Sequence, residues 1–564
     1  MAPLPWRILG AVAAAAALST TSNYRTPTTS LRLARTTRAS NYRTPTTSSR
    51  RALTTRAAAS TSSTAPTEKP TNKLARAAKF WQRAVPIVGK YVAGPVAMQL
   101  RERVLGECLS DDECEVVWAD AHASGAEQAR KVVDELGGFY VKTGQIIASR
   151  SDLFPRQYSD ALAGLTDLVD PMDGAYVRGI VAAEVLRPGE AWDDVFESWD
   201  DAPLGAASVA QAHRATLTAK YGGKDVAVKV QRPRVEETLL GDVNELKKLS
   251  KPLRDVTPVD YYVVFTELES QLKDEFDFVA EAAAMDRVYA TLNADGRPPP
   301  LVVPRPVAAL CTKNVLVMDF LDGEPLSRVA ARVEDFSKDP VLRASGVALL
   351  EALTEAFGTC IFGTGFFHAD PHPGNLLLLE DGRVGLIDFG QVKQISGKNR
   401  ATLGKVMVAL ATRTKSDDFP SGKPEELLQC ADLGRELGVV LNPGAPPEGP
   451  AAVSMWLFDD AGETLPGGYE QNELSPNSPA TALASFPQDL VLVARSSVLI
   501  KGLAAKLGVT WSLASRWAPI ASDALGLGYD APRPGRAQRL RAAVKRRAAR
   551  VVAPFVRRRI ARLS

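Results

Sequence analysis

The chain contains His-Ala-Asp-Pro-His-Pro-Gly-Asn at 368–375 and Asp-Phe-Gly at 388–390. The first string places Asp370 five residues before Asn375, and two short apolar runs lie between that loop and Asp388. This order predicts a catalytic loop, a β-hairpin and a metal-holding acid, which are parts of a phosphoryl-transfer site. A lone Asp-Phe-Gly arises by chance, whereas the two strings at this spacing are specific.

Each polar residue in these strings has a chemical reason to be there. Asp370 is the candidate catalytic residue, because a carboxylate accepts a proton from an attacking hydroxyl or orients it. Asn375 and Asp388 are the candidate metal ligands, because Mg²⁺ prefers hard oxygen atoms while it bridges nucleotide phosphates. The sequence therefore predicts ATP and Mg²⁺ as cofactors.

A lysine upstream completes the phosphate site. Residues 226–230 are Val-Ala-Val-Lys-Val, a strand pattern in which Lys229 points away from Val228 and Val230. A lysine facing a nucleotide cleft neutralises phosphates as a compact charge. Taken alone, a strand lysine is usually a solvated side chain. The downstream loop favours a role for Lys229 in nucleotide binding and catalysis.

A glutamate on a nearby helix is expected to pair with Lys229, and residues 275–281, Glu-Phe-Asp-Phe-Val-Ala-Glu, supply candidates. Asp277 and Glu281 are four residues apart and would share a helix face, where like charges repel unless cations lie opposite. Lys229 is one such cation. Glu275 would point away from both if the helix already included it, so we expect it at the helix start. The alternative is a solvated acidic face.

The second cation of this group is predicted further upstream, in Tyr-Val-Lys-Thr-Gly-Gln at 140–145. Lys142 and Gln145 are three residues apart on a predicted helix and therefore lie on one face. Without the other motifs they would be ordinary surface positions.

The predicted phosphate loop departs from the usual kinase pattern. Residues 204–211 are Leu-Gly-Ala-Ala-Ser-Val-Ala-Gln, with Ala206, Ala207 and Ser208 where glycines would let the backbone wrap phosphates. We expect this change to reshape nucleotide binding.

Composition is typical of a globular protein of 564 residues, with 45% hydrophobic and 24% charged residues. No apolar run reaches the roughly twenty residues needed to span a bilayer. The five cysteines form no Cys-X-X-Cys pair, so neither a disulfide framework nor a zinc site is indicated. We expect buried, reduced thiols.

Charge is segregated along the chain. Residues 1–67 hold nine arginines and no acid, and residues 533–564 hold twelve basic residues and no acid, which leaves −18 for 68–532 from a net +3. Ser-Asn-Tyr-Arg-Thr-Pro-Thr-Thr-Ser at 22–30 recurs at 40–48. Such a basic, Ser/Thr-rich segment is typical of an organelle transit peptide. A disordered basic tail is the alternative, and Ile8–Leu18 leaves open a two-step plastid import signal.

The basic tail contains a helical stripe of Leu540, Val544, Ala548 and Val551, which would let it lie on an anionic membrane. A solvated or nucleic-acid-binding tail is equally compatible, although no aromatic residues indicate specific nucleic-acid recognition.

The complete domain prediction is 1–67 transit peptide or disordered, 68–195 helical extension, 196–412 kinase-like domain, 413–486 exposed insertion or linker, 487–530 helical C-terminal region, and 531–564 basic tail.

Six motifs in this order resemble the UbiB-type, or ADCK-like, family of atypical kinase-like proteins, over roughly residues 75–415. The motifs are Lys-Thr-Gly-Gln at 142–145, Ala-Ala-Ser at 206–208, Val-Ala-Val-Lys at 226–229, the acidic string at 275–281, the catalytic loop and Asp-Phe-Gly.

The resemblance implies an α+β, protein-kinase-like bilobal fold with an N-terminal helical extension over the active site and a helical C-terminal region. It implies that Lys142 and Gln145 reach the cleft, where Lys142 meets Glu275 and Asp277. The other implied roles are a Lys229–Glu281 pair, catalysis by Asp370, metal binding by Asn375 and Asp388, and nucleotide contacts at the alanine-rich loop and Met318.

The resemblance also implies an ATPase or phosphotransferase linked to prenylquinone and isoprenoid-lipid metabolism at membranes, with a small-molecule or lipid substrate. With the N-terminal segment it predicts a plastid protein, with a mitochondrial one as the alternative. Two other functions stay open: an ATP-gated lipid-binding or scaffold protein that phosphorylates nothing, and a small-molecule kinase of the aminoglycoside or choline type. The motifs at 142–145 and 275–281 argue against the latter.

Overall fold

The structure, a computed structural model, describes residues 76–86, 111–162, 170–332 and 339–529. Within these ranges the gaps are 77, 138–139, 142–143, 145–155, 252–261, 263–265, 267–268, 270–271, 274, 417–418, 420, 460–464, 472–474 and 476. The predictions for residues 1–67, Lys142, Gln145 and the tail 531–564 therefore lie outside the described residues.

The helices between residues 111 and 195 divide between two separate hydrophobic cores, the second of which includes the sheet. They are α1 (Asp111–Leu136), α2 (Arg156–Leu162), α3 (Gly174–Val185) and the one-turn α4 (Trp192–Val195). Leu136 of α1 and Leu162 of α2 share a buried cluster with Leu239 of a later helix, α5 (Val235–Ser250).

A four-stranded antiparallel sheet forms the N-terminal lobe, in the order β1-β2-β3-β4. Alternation along β3 decides which face each side chain takes: Val226, Val228 and Val230 are fully buried against α3, and Lys229 faces the other way. A sixth helix, α6 (Phe278–Leu292), covers that second face. The strands are β1 (Phe196–Ala206), β2 (Ala210–Leu217), β3 (Asp225–Gln231) and β4 (Val315–Asp319).

The C-terminal lobe is mainly helical and carries three small sheets, β5-β7-β8, β6-β9 and β10-β11. The predicted hairpin after the catalytic loop is present, since β7 and β8 pair antiparallel. The elements are β5 (Gly323–Pro325), α7 (Leu326–Ala331), α8 (Pro340–Gly358) with a π-helical turn Thr359–Thr364, β6 (Phe366–His368), β7 (Leu376–Leu379), β8 (Val384–Leu386), β9 (Val392–Gln394), α9 (Gly397–Thr412), α10 (Pro424–Leu437), β10 (Val440–Leu441), α11 (Gly449–Phe458), α12 (Pro479–Ala482), β11 (Leu483–Ser485), α13 (Gln488–Lys506) and α14 (Leu513–Leu525).

The expectation that residues 413–486 form an exposed insertion or linker is wrong. Nine of the ten residues of α11 are buried, and α11 packs between α10 and the rest of the lobe. Gly434 of α10 lies so close to Pro450 that a Cβ there would come within 2.9 Å of the proline Cβ. The missing side chain of Gly434 thus allows α10 and α11 to pack closely.

One helix among the described residues is long and apolar enough to cross a membrane by length and composition, namely Pro340–Thr364. In the structure 56% of its most apolar stretch is buried inside the protein. Leu350, Leu353 and Phe357 of this helix belong to the main hydrophobic core. Its apolar character is therefore accounted for by its packing in the C-terminal lobe.

Candidate active site

The structure brings Lys229 and Glu281 into contact between β3 and α6. The Lys229 Nζ donates to both carboxylate oxygens of Glu281, at 2.8 and 2.9 Å, and lies 5.0 Å from the centre of the Phe278 ring. Glu281 is almost completely buried, with 3% of its side chain exposed, and Lys229 has 18% exposed. These are the two residues for which an ion pair was predicted.

Two predictions for the acidic string are wrong. Asp277 does not share a helix face with Glu281, because it is the N-cap of α6 and accepts hydrogen bonds from the backbone N–H groups of Val279 and Ala280. Aspartate is favoured at this position because it satisfies N–H groups that have no partner within the helix. Glu275 does not start α6 either: it belongs to helical residues before a break at 276–277, and accepts a hydrogen bond from Gln391 at 3.4 Å.

Asp388 follows β8 and turns back toward the lysine. Its φ of 62° lies in the left-handed region, which is uncommon for a non-glycine residue. One carboxylate oxygen lies 3.3 Å from the Lys229 Nζ and accepts a hydrogen bond from the Gly390 N–H. The Phe389 N–H donates to Glu281 at 3.1 Å. The Asp-Phe-Gly turn is therefore fixed to the Lys229–Glu281 pair.

Charge and burial set the protonation of this group. Burial by itself disfavours the Lys229 ammonium, but Asp388 and Glu281 raise its pKa above the ordinary value. The Lys229 charge lowers the pKa of Asp388 to about 2. Burial raises the pKa of Glu281, although Lys229 opposes that shift. A charged Asp388 with half of its side chain exposed is suited to a cation.

The catalytic loop holds Asp370 and Asn375 beside each other. The Asn375 side-chain N–H group donates to the Asp370 carbonyl at 3.2 Å, and its distance to a carboxylate oxygen is 3.5 Å. His368 is buried and connects this loop to Asp388: its Nδ1 accepts from the Asp370 N–H at 3.2 Å, and its Nε2 donates to the Asp388 carbonyl at 2.7 Å.

The alanine-rich stretch forms the turn between β1 and β2. Ala206 ends β1, and the Ala207 N–H donates to the Ala210 carbonyl at 2.8 Å across the turn, which encloses Ser208. Arg232, the residue after β3, fixes the turn, since its Nε donates to the Ala207 carbonyl at 2.9 Å. The hairpin therefore closes through backbone contacts.

Met318 lies in β4, opposite Ala227 of β3, with 9% of its surface exposed. Both residues point to the face of the sheet that packs on the main core. This is the same face of β3 as Lys229. The role of Met318 in nucleotide binding stays a prediction, as do the roles of the alanine-rich turn.

Sequence reasoning missed one side chain at the site. Arg495 on α13 donates from Nη2 to an Asp370 carboxylate oxygen at 2.8 Å. It lies 125 residues from Asp370 in the chain, inside an apolar helical pattern. Only its charge within that pattern could have singled it out.

The polar groups present fit the predicted cofactors. Asn375 donates through its N–H group and keeps its amide oxygen for a cation, and Asp388 supplies a half-exposed carboxylate. Within the described ranges no three His, Cys, Asp or Glu residues gather as a metal cluster. A site of one acid and one amide therefore suits Mg²⁺ that takes its other ligands from phosphates and water.

The fold and this site define an atypical kinase-like protein. Residues 164–417 match the ABC1 atypical kinase-like domain. An uncharacterized protein of Synechocystis sp. is 32% identical over 293 residues, which cover 50% of this chain and 69% of that protein. The chain belongs to the ABC1/aarF family of atypical kinase-like proteins.

Other relatives match a smaller part of their own length. An uncharacterized aarF domain-containing protein kinase of Arabidopsis thaliana, named as chloroplastic, is 31% identical, and a probable protein kinase UbiB of Edwardsiella ictaluri is 32% identical. The chain spans 51% and 52% of these two proteins, and the matches cover 50% and 51% of this chain.

Among solved structures, the Mycobacterium tuberculosis protein Rv3197 in complex with erythromycin aligns over 73% of this chain and 98% of its own, at 22% identity and a TM-score of 0.46. The family assignment does not depend on this alignment.

Proposed function

We propose that the protein binds ATP with Mg²⁺ in the cleft between the sheet and the catalytic loop, and that it hydrolyses ATP or transfers its terminal phosphoryl group. The observation that supports this most is the connected set of Lys229, Glu281 and Asp388, with Asp370 and Asn375 tied to it through His368. Lys229 would neutralise phosphates, and Asn375 and Asp388 would hold the metal. Asp370 would orient the attacking hydroxyl or water.

The segment after Asp-Phe-Gly supports an acceptor that is not a peptide. Protein kinases carry an activation loop here. In this chain only residues 391–396 separate Gly390 from α9, and three of them are paired in β9 with β6. This leaves no long segment to form a platform for a peptide. A small molecule, a lipid or water is the acceptor that we propose.

Resemblance to the family supports a more specific role in prenylquinone or isoprenoid-lipid metabolism at a membrane surface. This role predicts that the protein binds anionic liposomes and that deletion of residues 533–564 weakens the binding. Equal binding of the full chain and the truncated chain would contradict the role of the tail.

The ATP-gated scaffold is the second candidate function, and a product assay separates the two. ATP turnover that rises with liposomes or a quinone precursor and leaves no phosphorylated product would favour the scaffold. A phosphorylated small molecule or lipid, identified by mass spectrometry, would favour the phosphotransferase.

Residues 1–67 and the chloroplastic relative together support a plastid location. A fusion of these residues to a fluorescent protein, imaged in the source cells, tests this. Plastid fluorescence is expected, whereas mitochondrial or cytosolic fluorescence would contradict it.

The metal role is tested by Asp388→Asn. Asparagine tolerates the left-handed backbone at this position, so the substitution removes charge with little strain. We expect MgATP to raise the melting temperature of the wild type, because a ligand at about 100 times its Kd stabilises by about 2.7 kcal/mol. The variant should lose the Mg²⁺-dependent part of that shift.

The matched control is Asp381→Asn, which changes a partly exposed acid in the turn of the same hairpin. Asp381 accepts a hydrogen bond from Arg383. It should keep the full MgATP shift. A shift that survives in Asp388→Asn would refute the metal role of Asp388.

A further inference from the structure

The last part of the C-terminal lobe places a cation at the catalytic acid. Arg495 lies on α13, beyond residues 164–417 that match the family. Its Nη2 donates to Asp370 Oδ1 at 2.8 Å, and the two side chains are 45% and 20% exposed. Nothing in the family match assigns a role to this residue.

The catalytic loop contains no positive charge of its own. Residues 368–375 include neither lysine nor arginine. Lys229 forms ion pairs with Glu281 and Asp388, on the side of the cleft proposed to bind nucleotide. Arg495 is the cation that the structure shows in contact with Asp370, within the described part of the chain.

The contact also orients the carboxylate. Oδ1 of Asp370 is occupied by Arg495, whereas Oδ2 has a distance of 3.5 Å to the Asn375 amide nitrogen. The Oδ2 atom therefore faces the predicted metal ligand. An attacking hydroxyl must meet a carboxylate oxygen in a fixed direction for efficient transfer.

The helix that carries Arg495 is held firmly. Asp489 in its first turn accepts from the Ser396 N–H and from Asn399, both at 3.3 Å. Val493 and Ile500 are buried in the main core. The packing of α13 thus fixes the helix from which the Arg495 side chain reaches Asp370.

We propose that Arg495 is a positioning residue of the active site, which fixes the Asp370 carboxylate for the attacking hydroxyl or water and supplies positive charge beside it. This inference rests on the proposed function. Helix α13 would then contribute a side chain to the site, although it lies outside residues 164–417, which match the family.

Arg495→Ala, Arg495→Lys and Lys506→Ala test the proposal in steady-state ATP turnover by the full chain. Lys506 is an exposed cation in the last turn of the same helix and serves as the control. Since misplacing a catalytic group by 1 Å can cost about 10²-fold, we expect Arg495→Ala to lower kcat by about that factor. KM for ATP should change by no more than about twofold, because the nucleotide contacts remain.

Rescue separates positioning from folding. Millimolar guanidinium chloride should restore part of the kcat of Arg495→Ala, Arg495→Lys should keep an intermediate rate, and Lys506→Ala should match the wild type. A kcat of Arg495→Ala close to that of the wild type overturns the proposal. So does a loss that neither lysine nor guanidinium restores.

ATP turnover by the wild type and the variants distinguishes failure of the proposed function from failure of the Arg495 role. Absence of ATP turnover in the wild type would overturn the proposed function, and this inference with it. Turnover that Asp388→Asn abolishes but Arg495→Ala retains would overturn only the role of Arg495.

Discussion

At the residue scale, Glu281 is the side chain on which the site converges. One of its carboxylate oxygens accepts from both the Lys229 ammonium and the Phe389 N–H, so it joins β3, α6 and the Asp-Phe-Gly turn. With 3% of its side chain exposed, it cannot replace either partner by water without rearrangement. Loss of Glu281 leaves Lys229 buried with Asp388 alone.

Glu281→Ala should therefore reduce the free energy of unfolding, measured by urea denaturation, by about 3 kcal/mol, because breaking a buried ion pair leaves an uncompensated charge. Glu237→Ala is the control, since Glu237 forms a surface pair with Arg234 at 3.2 Å with 46% of its side chain exposed. The control should lose no more than about 1 kcal/mol. Equal losses in the two variants would contradict the special role of Glu281.

His368 predicts a pH dependence of stability. Burial lowers its pKa in the folded protein, and its Nδ1 must stay unprotonated to accept the Asp370 N–H. A lowered folded pKa gives stability that is complete above the unfolded value of about 6.5 and is lost as the pH falls below it. The unfolding free energy should drop between pH 7 and pH 5 by at most about 1.4 kcal/mol per pH unit for this one group.

The comparison variant is His368→Gln, which removes the titrating ring. Its unfolding free energy should fall less steeply over the same pH range than that of the wild type. His122, whose pKa burial also lowers, contributes equally to both proteins and cancels. Parallel pH profiles would exclude His368 as the group responsible.

At the element scale, hydrogen bonds restrain the β1–β2 hairpin and tie it to the segment that precedes α3. Arg232 donates to the Ala207 carbonyl at 2.9 Å and to the Asp170 carbonyl at 2.8 Å. Gln211 of β2 exchanges hydrogen bonds with the backbone of Met172, at 2.6 and 3.0 Å. The chain that leads into α3 and the predicted phosphate turn are thus tied together.

Arg232→Ala should loosen this turn and raise KM for ATP several-fold while kcat changes less, since the turn is expected to contact nucleotide and not the acceptor. Steady-state kinetics on the full chain measures both constants. Arg187→Ala, an exposed arginine after α3, is the control and should behave as the wild type. An unchanged KM for ATP in Arg232→Ala would show that the Arg232 contact does not affect nucleotide binding.

Local patterns predicted most of the elements at the site. Alternation over Val226–Val230 predicted both β3 and the direction of Lys229, and the runs after Asn375 predicted β7 and β8. The same reasoning failed at Asp277, where a continuous helical pattern hid a helix start. An aspartate that caps a helix and one within a helix have the same spacing to Glu281, so periodicity alone could not separate them.

The contact made by Arg495 and the burial of α11 could not be predicted, for a different reason. Both depend on contacts between distant parts of the chain, such as that between Arg495 and Asp370. Pro450 belongs to a Pro/Gly-rich stretch, 442–450, that suggested a linker locally, yet it packs against Gly434 of α10. The composition of a segment indicates which structure it can form by itself. It does not indicate which of its residues a distant helix will bury.

At the scale of the whole molecule, the last helix completes the C-terminal lobe. Trp517 of α14 is fully buried and donates to the Thr354 carbonyl of α8 at 2.8 Å. Gly358, at the end of α8, faces this ring so closely that a Cβ would lie 2.6 Å from Trp517 Cδ1. Residues 488–525 are therefore part of the lobe that carries the catalytic loop.

Gly358→Ala should destabilise the protein by about 1–3 kcal/mol, the usual cost of overpacking a core. Gly363→Ala is the matched control, because a Cβ there meets no atom within 4 Å. Urea denaturation should show no loss for the control, since alanine is favoured over glycine in a helix. A Gly358→Ala variant as stable as the control would contradict the packing of α14 on α8.

We propose that one cleft gathers Lys229, Glu281, Asp370, Asn375 and Asp388 around a magnesium-bound triphosphate. A crystal structure of the full chain with Mg²⁺ and a non-hydrolysable ATP analogue tests it most directly. We expect phosphates beside Lys229, the metal on Asn375 and Asp388, and the terminal phosphate next to Asp370. A nucleotide bound away from these side chains, or none bound at saturating concentration, would contradict it.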